Sequence, residues 1–448
     1  MEHNVSDLIT QLADDIREDT FVLLQQHLPH LKVHELVDLF DLLSPKAKLL
    51  VFRLLDHERA ADLFAELAPS VQQSFLQHFT DREITHLLEE LQPDQRTQVF
   101  EEMPGKATQR LLNLLPPEEL EEAKKLLGYP DESVGRLMTP HYVAVRTWYT
   151  CAQALEKIRK KWDTTETSNV IYVVDQHRHL KGVVSLRELV LATWDTPVHT
   201  IMLEDMFALH ATDDREEAVR MFENSGLFVL PVVNRTGVLL GIVTADDIFD
   251  VATEETTEDF HVSGAVLPLK QEYTDTSIGA LVIKRTPWLF ILVVVNLISS
   301  GVISIFEETL QTAIVLAFFI PLLIGTGWNA GAQSATIMVR AIATGDVKLN
   351  QWGKIFAKEI VVSLLIGAML GIAGMFLWLW RWGMEVSMVV WLSMIGIVMV
   401  ANCIGVLLPF LFTKIKQDPA IASGPLITSV VDATGLLIYF GLASLIIL

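Results

Sequence analysis

Cysteine is nearly absent from this chain. Its 448 residues include two, Cys151 and Cys403, far apart in sequence, which excludes a scaffold stapled by disulfides. Basic residues are also in deficit, with 34 Lys/Arg against 55 Asp/Glu. Such a balance repels nucleic acid and attracts cations, so no nucleic-acid partner is expected. Glycine-rich phosphate loops, HExxH helices and nucleophile elbows are missing, and no enzyme activity is expected. His27, His30 and His34 have a ligand-like spacing, but Pro29 interrupts the helix that a zinc site would need. The last third is poor in charge: residues 284–448 carry 7 acidic and 9 basic side chains, against 48 and 25 in residues 1–283.

What fills that last third is apolar. Five runs, near 286–306, 312–340, 355–380, 388–413 and 420–448, are each long enough to cross about 30 Å of hydrocarbon. Flanking charge orients them. With the long N-terminal region in the cytoplasm, Lys284, Arg285, Arg340, Lys348, Lys354, Lys358, Lys414 and Lys416 fall on the cytoplasmic side, and Arg381 alone on the other. That is the positive-inside pattern. The acidic start of the chain has no charged-then-apolar leader, and the expectation is a multi-pass inner (plasma) membrane protein with its N-terminal domains cytoplasmic and its C-terminus on the opposite side.

Two repeats occupy the acidic part. Pro45, Pro69, Pro93 and Pro117 recur every 24 residues, with half-way breaks at Asp56, Asp81 and Pro104. Proline suits a first helical turn, and the apolar residues between breaks have helical spacing, so residues 1–128 read as an all-α superhelical stack. A longer repeat covers 129–252. Gly182 and Gly241, Ser185 and Thr244, and Glu188 and Asp247 correspond, each closing a strand and opening a helix. This pattern resembles a tandem CBS pair, an α/β regulatory module. The resemblance implies that Ser185, Glu188 and Thr244 occupy nucleotide-contacting positions, and ATP is the candidate ligand. Against it, the positions of the adenine-holding aromatics of ATP-binding relatives are Val170 and Leu227 here. The plainer reading of the hydroxyls is helix capping.

The second apolar run reads FFIPLLIGTGWNAGAQSATIMVRAIATGD. Pro321, Gly325, Gly327 and Gly331 suggest an opened helix lining a cavity. Gly325, Asn329 and Gln333 recur at four-residue spacing on one face. The competing reading is a seam of small residues for helix packing. In the fifth run Asp432 is read as the only acidic residue deep inside any span, with Thr428 and Gly435 one turn away. An ionised carboxylate there costs roughly 2.5–3.5 kcal/mol on insertion scales, so it marks function. Carboxylate, hydroxyl and backbone oxygens suit a hard, mostly hydrated cation such as Mg2+.

Taken in order, the helical N-terminal part, the CBS-like pair, the glycine-rich second span and the Asp-containing fifth span resemble the MgtE magnesium channel family over essentially the whole chain. The resemblance implies a homodimer with five membrane helices per subunit and an ion path at Asp432, near Gly325, Asn329 and Thr428. It implies domains at 1–128, 129–252 and 286–448, with a linker at 253–285. Trp328 replaces a family glycine and Gly424 a frequent asparagine. Within the family the acidic interfaces sense cytosolic Mg2+; the matching residues are Glu216, Asp246, Asp247, Asp250, Glu258 and Asp259, while a further sensing acid appears as Gly226. The expected function is Mg2+ entry gated by those acids. The alternatives are a Mn2+ or Co2+ transporter of the same fold, or a non-conducting membrane sensor.

Overall fold

The computed structural model describes residues 28–447 except 163, 164, 270–272, 275 and 423, and omits the side chains of 168 and 377–382. His27 of the histidine triplet lies outside the described residues. The chain divides into two compact units between Thr253 and Glu254.

The first unit begins with short helices that follow the proline period. Helices start at Pro45, Pro69, Pro93 and Pro117, and intervening ones at His57, Asp81 and Gly105. Each proline stands in a first turn, where its missing N–H removes no bond. The intervening helices are capped in other ways. Asp56 accepts from the Arg59 amide, and Thr80 and Glu83 form a reciprocal capping box. Their apolar faces share one core built from Leu36, Phe40, Phe64, Phe75, Ile84, Leu88 and Phe100.

Two three-stranded sheets follow: β1 (Tyr142–Arg146), β2 (Thr167–Val174) and β3 (Leu180–Ser185), then β4 (Leu209–His210), β5 (Val229–Val233) and β6 (Leu239–Thr244). In both, the first strand is parallel to the second and the second antiparallel to the third. The copies interlock. A Cβ on Gly182 would strike the Leu203 carbonyl and Met202, and one on Gly241 would strike the Thr139 carbonyl and Met138. The Met-containing segment that opens each copy thus lies on the glycine of the other, which only a residue without a side chain permits.

Charge links the helical stack to the short helix Val134–Leu137 that precedes the strands, and braces the stack itself. Arg136 bonds Glu101 and the Tyr129 carbonyl. Arg96, 2% exposed, donates to the Leu88 carbonyl at 3.0 Å and to Glu122 at 2.9 Å. Buried arginine is tolerated because its planar fork is satisfied on more than one side.

Among its described residues the second unit contains five helices long and apolar enough to span a membrane: Ile278–Ile305, Ile314–Ala343, Leu349–Phe376, Gly383–Lys414 and Gly424–Ile447. The third and fourth are divided at Gly383, whose φ of 86° is open to glycine. The second, fourth and fifth share a core of Leu323, Ala330, Val390, Met394, Ile397, Val398, Ile427, Val431 and Phe440. One expectation is corrected here. The second span is not opened: it is α-helical from Ile320 to Ala343, and Pro321 sits in its first turn. Gly327 and Gly331 are packing residues, because Cβ atoms there would meet Ile397 at 2.5 Å and Ile427 at 2.9 Å.

Candidate functional site

Those close contacts fix the height of the intramembrane acid. Gly327 faces Val431, Gly331 faces Ile427, and Gly435 faces Ile324. The second and fifth spans therefore run antiparallel, and Asp432 is level with residues 326–327. Gly325 and Asn329 lie within one turn of that height. Gln333 is about 10 Å further toward Ala343 at 1.5 Å per residue. Gly435 is not a lining residue, since it packs on Ile324.

Asp432 is half-buried, and its Oδ1 is a buried atom with no hydrogen-bond partner. An acceptor left unmatched in an apolar setting is costly unless a cation or its water shell answers it. Thr428 sits one turn earlier, with its hydroxyl donated to the Gly424 carbonyl at 2.8 Å, so its lone pairs stay open. Asn329, Gln333 and Trp328 lie on an exposed face of the second span, and Gly325 has open space where a Cβ would be. Oxygen donors without His or Cys are the set that suits a hard divalent ion.

The acid count in the spans is also corrected. Glu359 stands ten residues inside the third span and accepts from Ser334 of the second at 2.6 Å. Its place beside Lys358 makes it read as a flanking charge. Helical rotation separates the two, leaving Lys358 exposed and Glu359 half-buried.

Asp246, Asp247 and Asp250 lie in the first unit on the helix Ala245–Ser263, and Glu258 and Asp259 fall on its later turns, past the division at Thr253. The structure adds partners that sequence spacing did not reveal. Asp94, in the first turn of Pro93–Glu102, has an Oδ1 that is buried and unpartnered. Burial pushes its carboxyl well above the usual range, followed by the charges of Asp247 and Glu166. Asp247 is pushed up to about 6, first by burial, against a 2.6 Å bond from Thr244, with Asp246 and Asp250 adding to the rise. Glu166 keeps an open surface, yet its desolvation and then Asp247, Asp246 and Asp62 raise it to about 7. Glu66 is raised by burial, Asp250, Asp62 and Asp246. Acids from the helical stack and from both CBS copies thus converge on one helix. Among the described residues no three His, Cys, Asp or Glu side chains form a ready-made chelating group. The arrangement is a field of carboxylates, suited to an ion that keeps most of its waters.

The remaining nominated residues are occupied otherwise. Glu216 pairs with Arg220 at 2.8 Å. Gly226 is the left-handed C-cap of Arg215–Ser225, φ 64°, a place that favours glycine over an acid. Ser185 and Glu188 form a reciprocal capping box at 2.9–3.1 Å, and Thr244 is held by Asp247. These groups serve helix starts, and a ribose would have to displace them.

Comparison with known proteins agrees with this layout. A family model described as "Divalent cation transporter" matches residues 320–442, one described as "MgtE intracellular N domain" matches 31–132, and "CBS domain" matches 198–254. The Magnesium transporter MgtE of Thermus thermophilus is 36% identical over 443 residues, 98% of either chain. That of Bacillus subtilis is 30% identical over 439 residues, 98% of this chain and 97% of its own. A crystal structure of the soluble part of a magnesium transporter covers 56% of this chain and 99% of its own, at 27% identity and a TM-score of 0.52. With relatives of this identity along its whole length, this chain belongs to the MgtE family of magnesium transporters.

Proposed function

We propose that the chain forms a homodimeric Mg2+ channel in which Asp432 is the pore carboxylate, and that cytosolic Mg2+ closes it by binding the acids of its N-terminal half. The observation that carries the pore assignment is the unpartnered, buried Oδ1 of Asp432 at the height of Gly325 and Asn329. The amides of Asn329 and Gln333 face outward from a single chain, and polar side chains facing lipid are costly. A second copy placed against that face removes the penalty and encloses a polar path containing Thr428. Mg2+, the cargo, passes Asp432 with most of its waters, since it dehydrates reluctantly.

Gating follows from like charge. Asp94, Glu166, Asp246, Asp247 and Asp250 repel one another while packed, and a divalent ion among them favours the packed form. Glu216, Glu258 and Asp259 extend the same negative field. The linker 253–285 is the element through which packing acts on the first span. Linkage requires that Mg2+ bind the closed state more tightly. The Ser185, Glu188 and Thr244 positions are read as caps, and ATP is left as a ligand to be tested by direct titration.

The deciding experiment is Mg2+ uptake by the full-length protein in liposomes. Asp432→Asn should lower flux by at least tenfold while the dimer elutes and melts as the wild type does. Wild-type flux in that variant would remove Asp432 from the ion path. Equal flux of Mn2+ and Co2+ through the wild type would favour a broader divalent transporter, and no flux of any ion would favour the sensor reading.

A further inference from the structure

The second, third and fourth spans enclose a polar layer separate from Asp432. The Ser334 hydroxyl, 8% exposed, donates to Glu359 Oε1 at 2.6 Å. Ser363, fully buried, bonds the Glu359 carbonyl one turn on. From the fourth span comes Asn402, 2% exposed, whose Oδ1 is buried and has no hydrogen-bond partner. Its neighbours fix where it points. Ala401 and Gly405 lie against Gly331 of the second span, and Ile395, two turns before Asn402 on nearly the same face, lies against Gly367 of the third. Asn402 stands between those two directions on the helix, facing the crevice where the three spans meet.

An apolar layer supports that alignment. Met338, Val406 and Ile355 belong to one packed cluster with Phe410 and Ile342. Each of the first three is four residues, one turn, from Ser334, Asn402 and Glu359 respectively. The polar triad is therefore the next layer into the membrane, sealed on one side by that cluster. It is displaced from the height of Asp432 by about eight residues of the second span, or about 12 Å.

A carboxylate at this depth needs a compensating partner. Among the described residues Glu359 has no ion pair, and its one side-chain partner is a neutral hydroxyl. A carboxylate, a hydroxyl and an unmatched amide oxygen are three hard oxygen donors from three helices. We infer that Glu359, Ser334 and Asn402 form an off-axis site for a partly hydrated divalent cation within each subunit, distinct from the Asp432 path. The site ties the third span to the second and fourth. It goes beyond the pore assignment and is read by binding, so it stands or falls independently of transport.

Mn2+ is the probe, counted by electron paramagnetic resonance on the full-length protein in detergent. Asp432→Asn should leave this ion in place. Glu359→Gln should remove one Mn2+ per chain relative to its parent, and Asn402→Asp, which adds a second carboxylate, should tighten one ion at least tenfold. Excess Mg2+ should displace it. If Glu359→Gln is folded and its Mn2+ count is unchanged, the triad is polar packing alone and the inference fails. If Glu359→Gln does not fold, Asn402→Asp decides: tightening supports the site, and an unchanged affinity overturns it.

Discussion

Replacing Asp247 by asparagine should hold the helical stack against the second CBS copy in the absence of any divalent ion. Its carboxyl is raised from 3.8 to about 6 in the packed arrangement, by burial first and by its acidic neighbours after that. Two pH units correspond to about 3 kcal/mol. The sign follows from proton binding. The packed form holds the proton more tightly than an opened form with an ordinary carboxyl. Packing therefore loses stability as pH rises from about 4 to about 6, and the loss is complete above 6. Asp94 and Glu166, shifted in the same direction, deepen that loss and extend it toward pH 7. A neutral amide at this position carries no such charge, so at pH 8 without Mg2+ the opening equilibrium should fall by up to about 100-fold, at 1.4 kcal/mol per factor of ten. The assay is amide hydrogen exchange of the full-length protein at residues 93–102 and 245–253, corrected for intrinsic rates. Wild-type protection should be high at pH 5, low at pH 8, and restored at pH 8 by Mg2+. Asp247→Asn should be clearly better protected than the wild type at pH 8 without Mg2+, with the residual loss set by Asp94 and Glu166. Equal wild-type protection at pH 5 and 8 without Mg2+, or weaker protection in the variant, would refute the reasoning.

Two further outcomes test the framework around these sites. Gly405→Ala should destabilise the membrane unit by about 1–3 kcal/mol, because the added methyl meets the Gly331 carbonyl and backbone cannot yield as a flexible side chain does; thermal melting in detergent measures it. Arg96→Ala should cost about 3 kcal/mol, by stranding Glu122 and the Leu88 carbonyl. It should lower the melting temperature of the first unit and leave that of the spanning helices unchanged.

Much of the architecture is readable from local signals. Proline marks helix starts wherever it recurs, since no other position in a helix tolerates it so well. The five spans announce themselves because hydrocarbon admits about 20 apolar residues and little else. Asp432 stands out for the same reason. The glycine-rich second span is misleading because glycine is ambiguous. It permits a break, but it equally permits close approach of a neighbouring helix, and Gly327, Gly331 and Gly405 are used for approach. Glu359 is hidden by Lys358, because one step in sequence is about 100° of rotation and only a neighbouring helix gives that angle meaning.

The amino-acid sequence by itself determined the classes of segment: the proline-paced helices, the paired strand repeats, the spans, and the one carboxylate that no lysine or arginine could neutralise nearby. Each is set by interactions within a few residues or by the solvent the segment must enter. Tertiary structure alone decided which acids share a field. Asp94 and Asp247 are 153 positions apart, and Ser334, Glu359 and Asn402 come from three different helices. Electrostatic energy falls with distance in space and not with separation along the chain, so only the folded packing could say which charges must be answered together.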